Sequence, residues 1–82
     1  MQGINSRNIE ARDKCLNNKS LGIYEYYGLD LRLVENTEDG VYAYFISNAD
    51  LHKSRWYFHK VKVSNNKFIY DGLKFNINDF WK

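Results

Sequence analysis

Residues 41–47 read Val41-Tyr42-Ala43-Tyr44-Phe45-Ile46-Ser47, and the architecture follows from how this stretch uses its two faces. Its odd positions, Val41, Ala43 and Phe45, are apolar, and so are its even positions, Tyr42, Tyr44 and Ile46. Successive side chains of a strand point to opposite faces, so a strand with one wet face would alternate apolar and polar residues. This one does not. The segment reads as a central strand covered on both sides.

On its N-terminal side, Asn36-Thr37-Glu38-Asp39-Gly40 reads as a turn, with Asp39-Gly40 the strongest local signal. Before that turn, Tyr27, Leu29, Leu31 and Leu33 share one face of a strand, with Gly28, Asp30 and Arg32 on the other. Tyr24 and Tyr26 lie in the opposite phase, so a bulge or sharp bend is expected at Gly28. On the C-terminal side, Ser54 to Ser64 resumes β composition. Trp56 and Phe58 fall on one face there, Val61 and Val63 on the other. A bulge near His59-Lys60 would bring all four to the core and send Arg55, Tyr57 and Lys62 outward. Asn65-Asn66 and Asp71-Gly72 each suit a two-residue hairpin loop, because these residue types tolerate positive φ. They bound strands at Lys67–Tyr70 and Leu73–Ile77, and Phe80 or Trp81 in the tail is expected to cap one end of the core.

The first 22 residues contain none of the chain's 14 aromatics, which comprise 7 Tyr, 5 Phe and 2 Trp. They read as a helix, with Asn5 or Ser6 as its cap and an exit at Asn17-Asn18 and Gly22. Ile9 and Leu16 fall on one side, flanked by Ala11 and Cys15 and interrupted by Arg12. The expected fold class is α+β: an N-terminal helix packed on a curved antiparallel meander of about five short strands. Such a sheet could curl into a barrel-like form with the helix across one opening. One domain is expected over 1–82, with residues 1–22 a helical lid and 23–82 the sheet. A chain of this size buries roughly 60% of its unfolded surface, and large aromatics make that thin core efficient.

The net charge of +2 is too mild to indicate a partner, but its distribution is uneven. Residues 21–50 carry six acidic side chains and one basic, whereas 51–82 carry seven basic and two acidic. Cys15 is the lone cysteine, which suits a reducing, cytoplasmic location. The longest apolar run, Val41 to Ile46, falls far short of the ~20 residues that span a bilayer, so no membrane partner is expected. Ten Asn, eight Lys, seven Tyr and six Ile against three Ala and no Pro fit an AT-rich coding sequence, as in a phage, a mobile element or an AT-rich bacterium.

Catalytic signals are sparse. Cys15, His52 and His59 show no metal-ligand spacing, so neither a metal nor a cofactor is expected. A nucleophile, a base and an acid can be drawn from Cys15, the two histidines and Glu38, Asp39 or Asp50, but nothing in their spacing makes them converge. The glycines are dispersed, so there is no phosphate-cradling loop. No catalytic residue is nominated, and an enzyme is not expected.

Two binding surfaces remain. Tyr24, Tyr26, Tyr42 and Tyr44, with Tyr27 beside them and the acids Glu38 and Asp39 at the rim, exceed what one thin core needs. Tyrosine on a rigid sheet suits a protein interface. The first expectation is therefore a small non-catalytic binding protein acting through a protein partner or a homodimer. An inhibitor or accessory protein of a mobile element would be of this kind. The alternative is nucleic acid, because Leu51 to Val63 interleaves cations with aromatics. Arg55, Tyr57, Lys60 and Lys62 would then meet phosphates and bases.

Overall fold

The computed structural model describes residues 2–50 and 55–81, with side chains described from Ile9 to Ser47 and from Tyr57 to Trp81. His52 lies outside the described residues, as do the side chains of Asp50, Arg55 and Trp56. Helix α1 spans Gln2–Leu16 and is followed by β1 (Gly22–Tyr24), β2 (Leu29–Thr37), β3 (Gly40–Asp50) and β4 (Arg55–Val63). These four strands form an antiparallel meander in chain order. β5 (Lys67–Tyr70) and β6 (Leu73–Asn76) form a separate hairpin, and a 3-10 turn over Ile77–Phe80 closes the described chain.

The fold is α+β, with a helix and antiparallel strands in two sheets. The four-stranded sheet stays open, with β1 and β4 at its edges, and does not close into a barrel. β3 is central and covered on both sides, for the reason its two apolar faces imply. Ala43 and Phe45 pack with Leu29, Leu31, Phe68, Phe75, Ile77 and Phe80 on the hairpin side. Tyr44 and Ile46 pack with Ala11 and Cys15 on the helix side. The small side chains of Ala11 and Cys15 let α1 approach the sheet while Tyr44 fills the space beneath it. Most of the aromatic mass lies on the hairpin side, where Phe68 stacks at 5.1 Å on Phe45 and at 5.5 Å on Phe75.

Two cores, one on each face, explain where the expected bulge does not occur. Pairing of β3 with β4 runs unbroken from Val41↔Val63 to Ser47↔Tyr57, so there is no bulge at His59-Lys60. Strict alternation places Phe58 with the helix-side core and Val61 and Val63 with the hairpin-side core. No bulge is needed when either face is an apolar destination. The bulge sits instead in β2, where the register to β3 shifts between Leu31 and Leu33 and leaves Arg32 as the extra residue. Leu29 and Leu31 therefore enter the hairpin-side core while Leu33 turns to the helix side. Gly28 marks a bend rather than a bulge. Its φ of 65° closes the turn between β1 and β2, so Tyr27 belongs to that turn and not to a strand.

The helix begins before its expected caps, which places Asn5 and Ser6 within it rather than ahead of it. It ends as expected at Asn17-Asn18, with Asn17 N–H donating to Asp13 O and Asn18 Nδ2 to Lys14 O. Gly22 has a different task from the helix exit anticipated for it. A Cβ there would lie 1.7 Å from the carbonyl oxygen of Phe80, so only glycine admits the 3-10 turn against β1. Both hairpin loops follow their turn chemistry: Asn65 and Asn66 have φ of 53° and 67°, and Asp71 and Gly72 have 55° and 75°. Phe80, not Trp81, closes the core.

Candidate interaction surface

The tyrosines separate into structural and exposed groups. Tyr44 is 1% exposed, so it is unavailable as a contact residue. Helix α1 covers its ring, its hydroxyl lies 3.4 Å from Glu35 Oε1, and burial raises its pKa. Tyr42, also on the helix side, is half-buried with Lys60 Nζ 4.7 Å from its ring centre. Tyr24 is half-buried against Phe75 and Phe80. Tyr26 stands apart at 84% exposure. Its ring meets Tyr27 edge-on at 5.1 Å, and Tyr27 in turn meets Phe75 at 5.5 Å. Tyr27, itself 43% exposed, thus links the Tyr26 ring to the core residue Phe75.

The acidic rim does not form. Glu38 and Asp39 occupy the β2–β3 turn, at the opposite end of β2 from Tyr26. The nine residues of that strand put its ends roughly 25 Å apart. Other acids are engaged locally. Glu35 accepts from Lys14 Nζ at 2.9 Å, which holds its carboxyl below the usual range and raises the Lys14 ammonium. Asp30 accepts from Ser20 Oγ and Arg32 Nε. The acidic side chains of residues 21–50 are dispersed by the meander, because an antiparallel strand carries successive charges away from one another.

The basic stripe also divides. Without a bulge in β4, Lys60 and Lys62 face the helix side, whereas Tyr57 shares the other face with His59 and Val61. Lys60 is paired with Glu10 of α1 at 3.3 Å. Tyr57 and Lys62 are exposed, but on opposite faces. The side chain of Arg55 lies outside the described residues.

Of the groups considered for chemistry, Cys15 lies in the helix-side core and His59 packs against the hairpin-side core, while Glu38 and Asp39 stay exposed in the β2–β3 turn. Cys15 is fully buried, and burial pushes its thiol up to about 11. His59 presents its ring to the opposite face of the sheet from Cys15, stacked on Phe45 at 4.9 Å. There Nε2 lies 2.7 Å from Ser47 Oγ, and the Tyr70 hydroxyl donates to that same oxygen at 3.1 Å. A neutral imidazole that accepts the serine hydrogen satisfies all three groups, and burial lowers the His59 pKa accordingly. Ser47 is 1% exposed, so this chain of hydrogen bonds fastens the hairpin to the sheet. Ser47 carried no signal in the sequence, being the first polar residue after an apolar run. Among the described residues no group of three His, Cys, Asp or Glu side chains could hold a metal ion. Among them too, no helix is long and apolar enough to cross a membrane.

Among the described residues, one group of exposed apolar side chains gathers around β1, apart from Ile9 and Leu16 on α1, Tyr57 on β4, and Ile69 and Leu73 on the hairpin. Leu21 and Ile23 line a shallow depression with Ser20, Gly22 and Glu25. Both are exposed, as is Trp81, the neighbour of the Phe80 carbonyl that abuts Gly22. β1 is hydrogen-bonded to β2 alone, so its outer edge is unpaired among the described strands. Leu21 and Ile23 were not singled out in the sequence. Their alternate positions just ahead of the tyrosines are the signal that would have found them. No protein-family model matches this chain, and neither a curated protein nor a solved structure matches it.

Proposed function

We propose that the protein is a non-catalytic binding module that engages another protein through the Tyr26–Tyr27 turn and the adjoining edge of β1. The observation that carries this reading is the Tyr26 ring, 84% exposed yet braced through Tyr27 onto the core residue Phe75. A braced aromatic offers contact area with little entropy left to lose on binding. The neighbouring edge strand offers unpaired backbone donors and acceptors, which an extended segment of a partner can extend into a fifth strand. Leu21 and Ile23 supply the apolar contacts beside it. The burial of Cys15 and Ser47 supports the non-catalytic part of the reading. The lone reduced cysteine and the AT-leaning composition support a cytoplasmic inhibitor or accessory factor carried by a mobile element.

Affinity purification of the full chain from expressing cells, beside Tyr26→Ala, tests the proposal. A protein retained by wild type and lost by the variant, at unchanged Tm, is the expected result. Equal recovery by both, or none by either, overturns it. Salt-sensitive binding of single-stranded oligonucleotides, lost on Lys62→Ala and kept by Tyr26→Ala, would instead select the nucleic-acid reading.

A further inference from the structure

Helix α1 is packed with its small side chains inward and its large ones outward. Ala11 and Cys15 are buried against the sheet, while Ile9 is 49% and Leu16 60% exposed. At about 100° per residue, Ile9 and Leu16 project in nearly the same direction, with Arg12 and Asp13 on either side of that line. Ala11 and Cys15 do not flank that line as the sequence suggests but point away from it, into the sheet. An amphipathic helix that served only its own core would turn the isoleucine and the leucine toward the sheet. The outward stripe Ile9–Arg12–Asp13–Leu16 therefore has no role in the fold described here.

The order of residues along the stripe identifies what can cover it. Two antiparallel helices related by a two-fold axis midway between positions 12 and 13 set Ile9 against Leu16 of the second copy. The same axis sets Arg12 against Asp13 of the second copy, on both sides of the centre. Apolar groups meet apolar groups and opposite charges meet. A parallel pairing in register would instead place Arg12 on Arg12 and Asp13 on Asp13. Within one chain Arg12 and Asp13 approach only to 3.7 Å, and both side chains stay more than half exposed, so both are available. Adjacent helix positions diverge, which makes that internal pair a poor competitor. We propose that the stripe is an isologous interface, and that α1 pairs antiparallel with α1 of a second copy of this chain. The patch is small, so the dimer is reversible and depends on concentration. It uses neither Tyr26 nor β1, so it stands independently of the partner-binding surface proposed above.

Sedimentation equilibrium of the full chain over a range of concentrations tests this. Wild type is expected to pass from monomer to dimer as concentration rises. Arg12→Asp alone sets one carboxylate against another in each half of the pairing, and Asp13→Arg alone sets one guanidinium against another. Each is expected to weaken the dimer about tenfold or more. The double variant Arg12→Asp/Asp13→Arg restores opposite charges and is expected to return close to the wild-type constant. Leu16→Glu, at an exposed site, is expected to abolish the dimer with helix content and Tm retained. A wild-type chain that stays monomeric throughout overturns the proposal. So does a dimer indifferent to these single variants, or one that the charge swap does not rescue.

Discussion

Arg32 Nη1 donates to the backbone carbonyl of Cys15 at 3.1 Å, joining the bulge of β2 to the last turn of α1. The same nitrogen reaches Asn18 O at 2.9 Å, and Nε is held by Asp30 at 3.0 Å. The final carbonyls of a helix have no internal donors, and a cation there also meets the negative end of the helix dipole. The extra residue in β2 is what turns this guanidinium toward the helix. Arg32→Ala is expected to destabilise the protein by about 1–2 kcal/mol, with Arg32→Lys recovering only part of that because it lacks the fork. Urea unfolding measures both. A wild-type midpoint in Arg32→Ala would show that the contact contributes nothing to stability.

Gly22 and Gly72 form a matched pair of glycine substitutions. At Gly22 an added Cβ would meet the Phe80 carbonyl at 1.7 Å, so the 3-10 turn and the buried Phe80 ring must shift. At Gly72 there is nothing within 4 Å, and only the φ of +75° is unfavourable for a side chain. Gly22→Ala is expected to cost about 3 kcal/mol and Gly72→Ala about 1 kcal/mol. Equal losses in thermal unfolding would mean that Phe80 does not seat against β1 in solution.

Acid should loosen the hairpin side of the sheet. Burial lowers the His59 pKa in the folded chain, whereas the unfolded chain binds its proton near the ordinary value of 6.5. The unfolded state therefore holds more protons as pH drops below 6.5, and stability falls with it. The contribution is complete above that value and is lost progressively toward the lower folded-state pKa. Urea midpoints of wild type and His59→Gln, taken from neutral pH downward, give the difference. His52 is present in both proteins and cancels in the difference. Parallel curves would refute the assignment of His59 as a buried neutral acceptor for Ser47.

Tyr44 and Tyr26 should behave oppositely when truncated. Tyr44→Ala empties the space under α1 and is expected to cost about 3–4 kcal/mol, whereas Tyr26→Ala should stay within about 0.5 kcal/mol of wild type. Partner capture can be read cleanly only at the second site. A thermal shift of similar size in both variants would place Tyr26 in the core and remove the basis for the binding surface.

Much of the architecture was legible from residue order. The doubly apolar run from Val41 to Ile46 implied a strand covered on both faces, because each face of a strand needs its own burial. Asn65-Asn66 and Asp71-Gly72 announced their hairpin loops, since few residues accept positive φ. The aromatic-free start marked the helix by its contrast with the aromatic-rich strands that follow. The candidate surfaces were less legible. Five tyrosines outnumbered one core, but two cores were there to receive them, and Tyr44 went under the helix while Tyr26 stayed out.

Residue order carries the phase of each strand, the turns between them and the surplus of aromatic rings. The folded arrangement settles what each phase faces. One extra residue at Arg32, rather than at His59-Lys60, redirects Leu33 to the helix side and aims a guanidinium at the end of α1. It also leaves β4 to alternate without interruption, which separates Tyr57 from Lys60 and Lys62. Local pattern is blind to such choices, because a one-residue slip reverses every side chain beyond it at little local cost. The balance is struck between distant surfaces: α1 on one face of the sheet, the β5–β6 hairpin on the other.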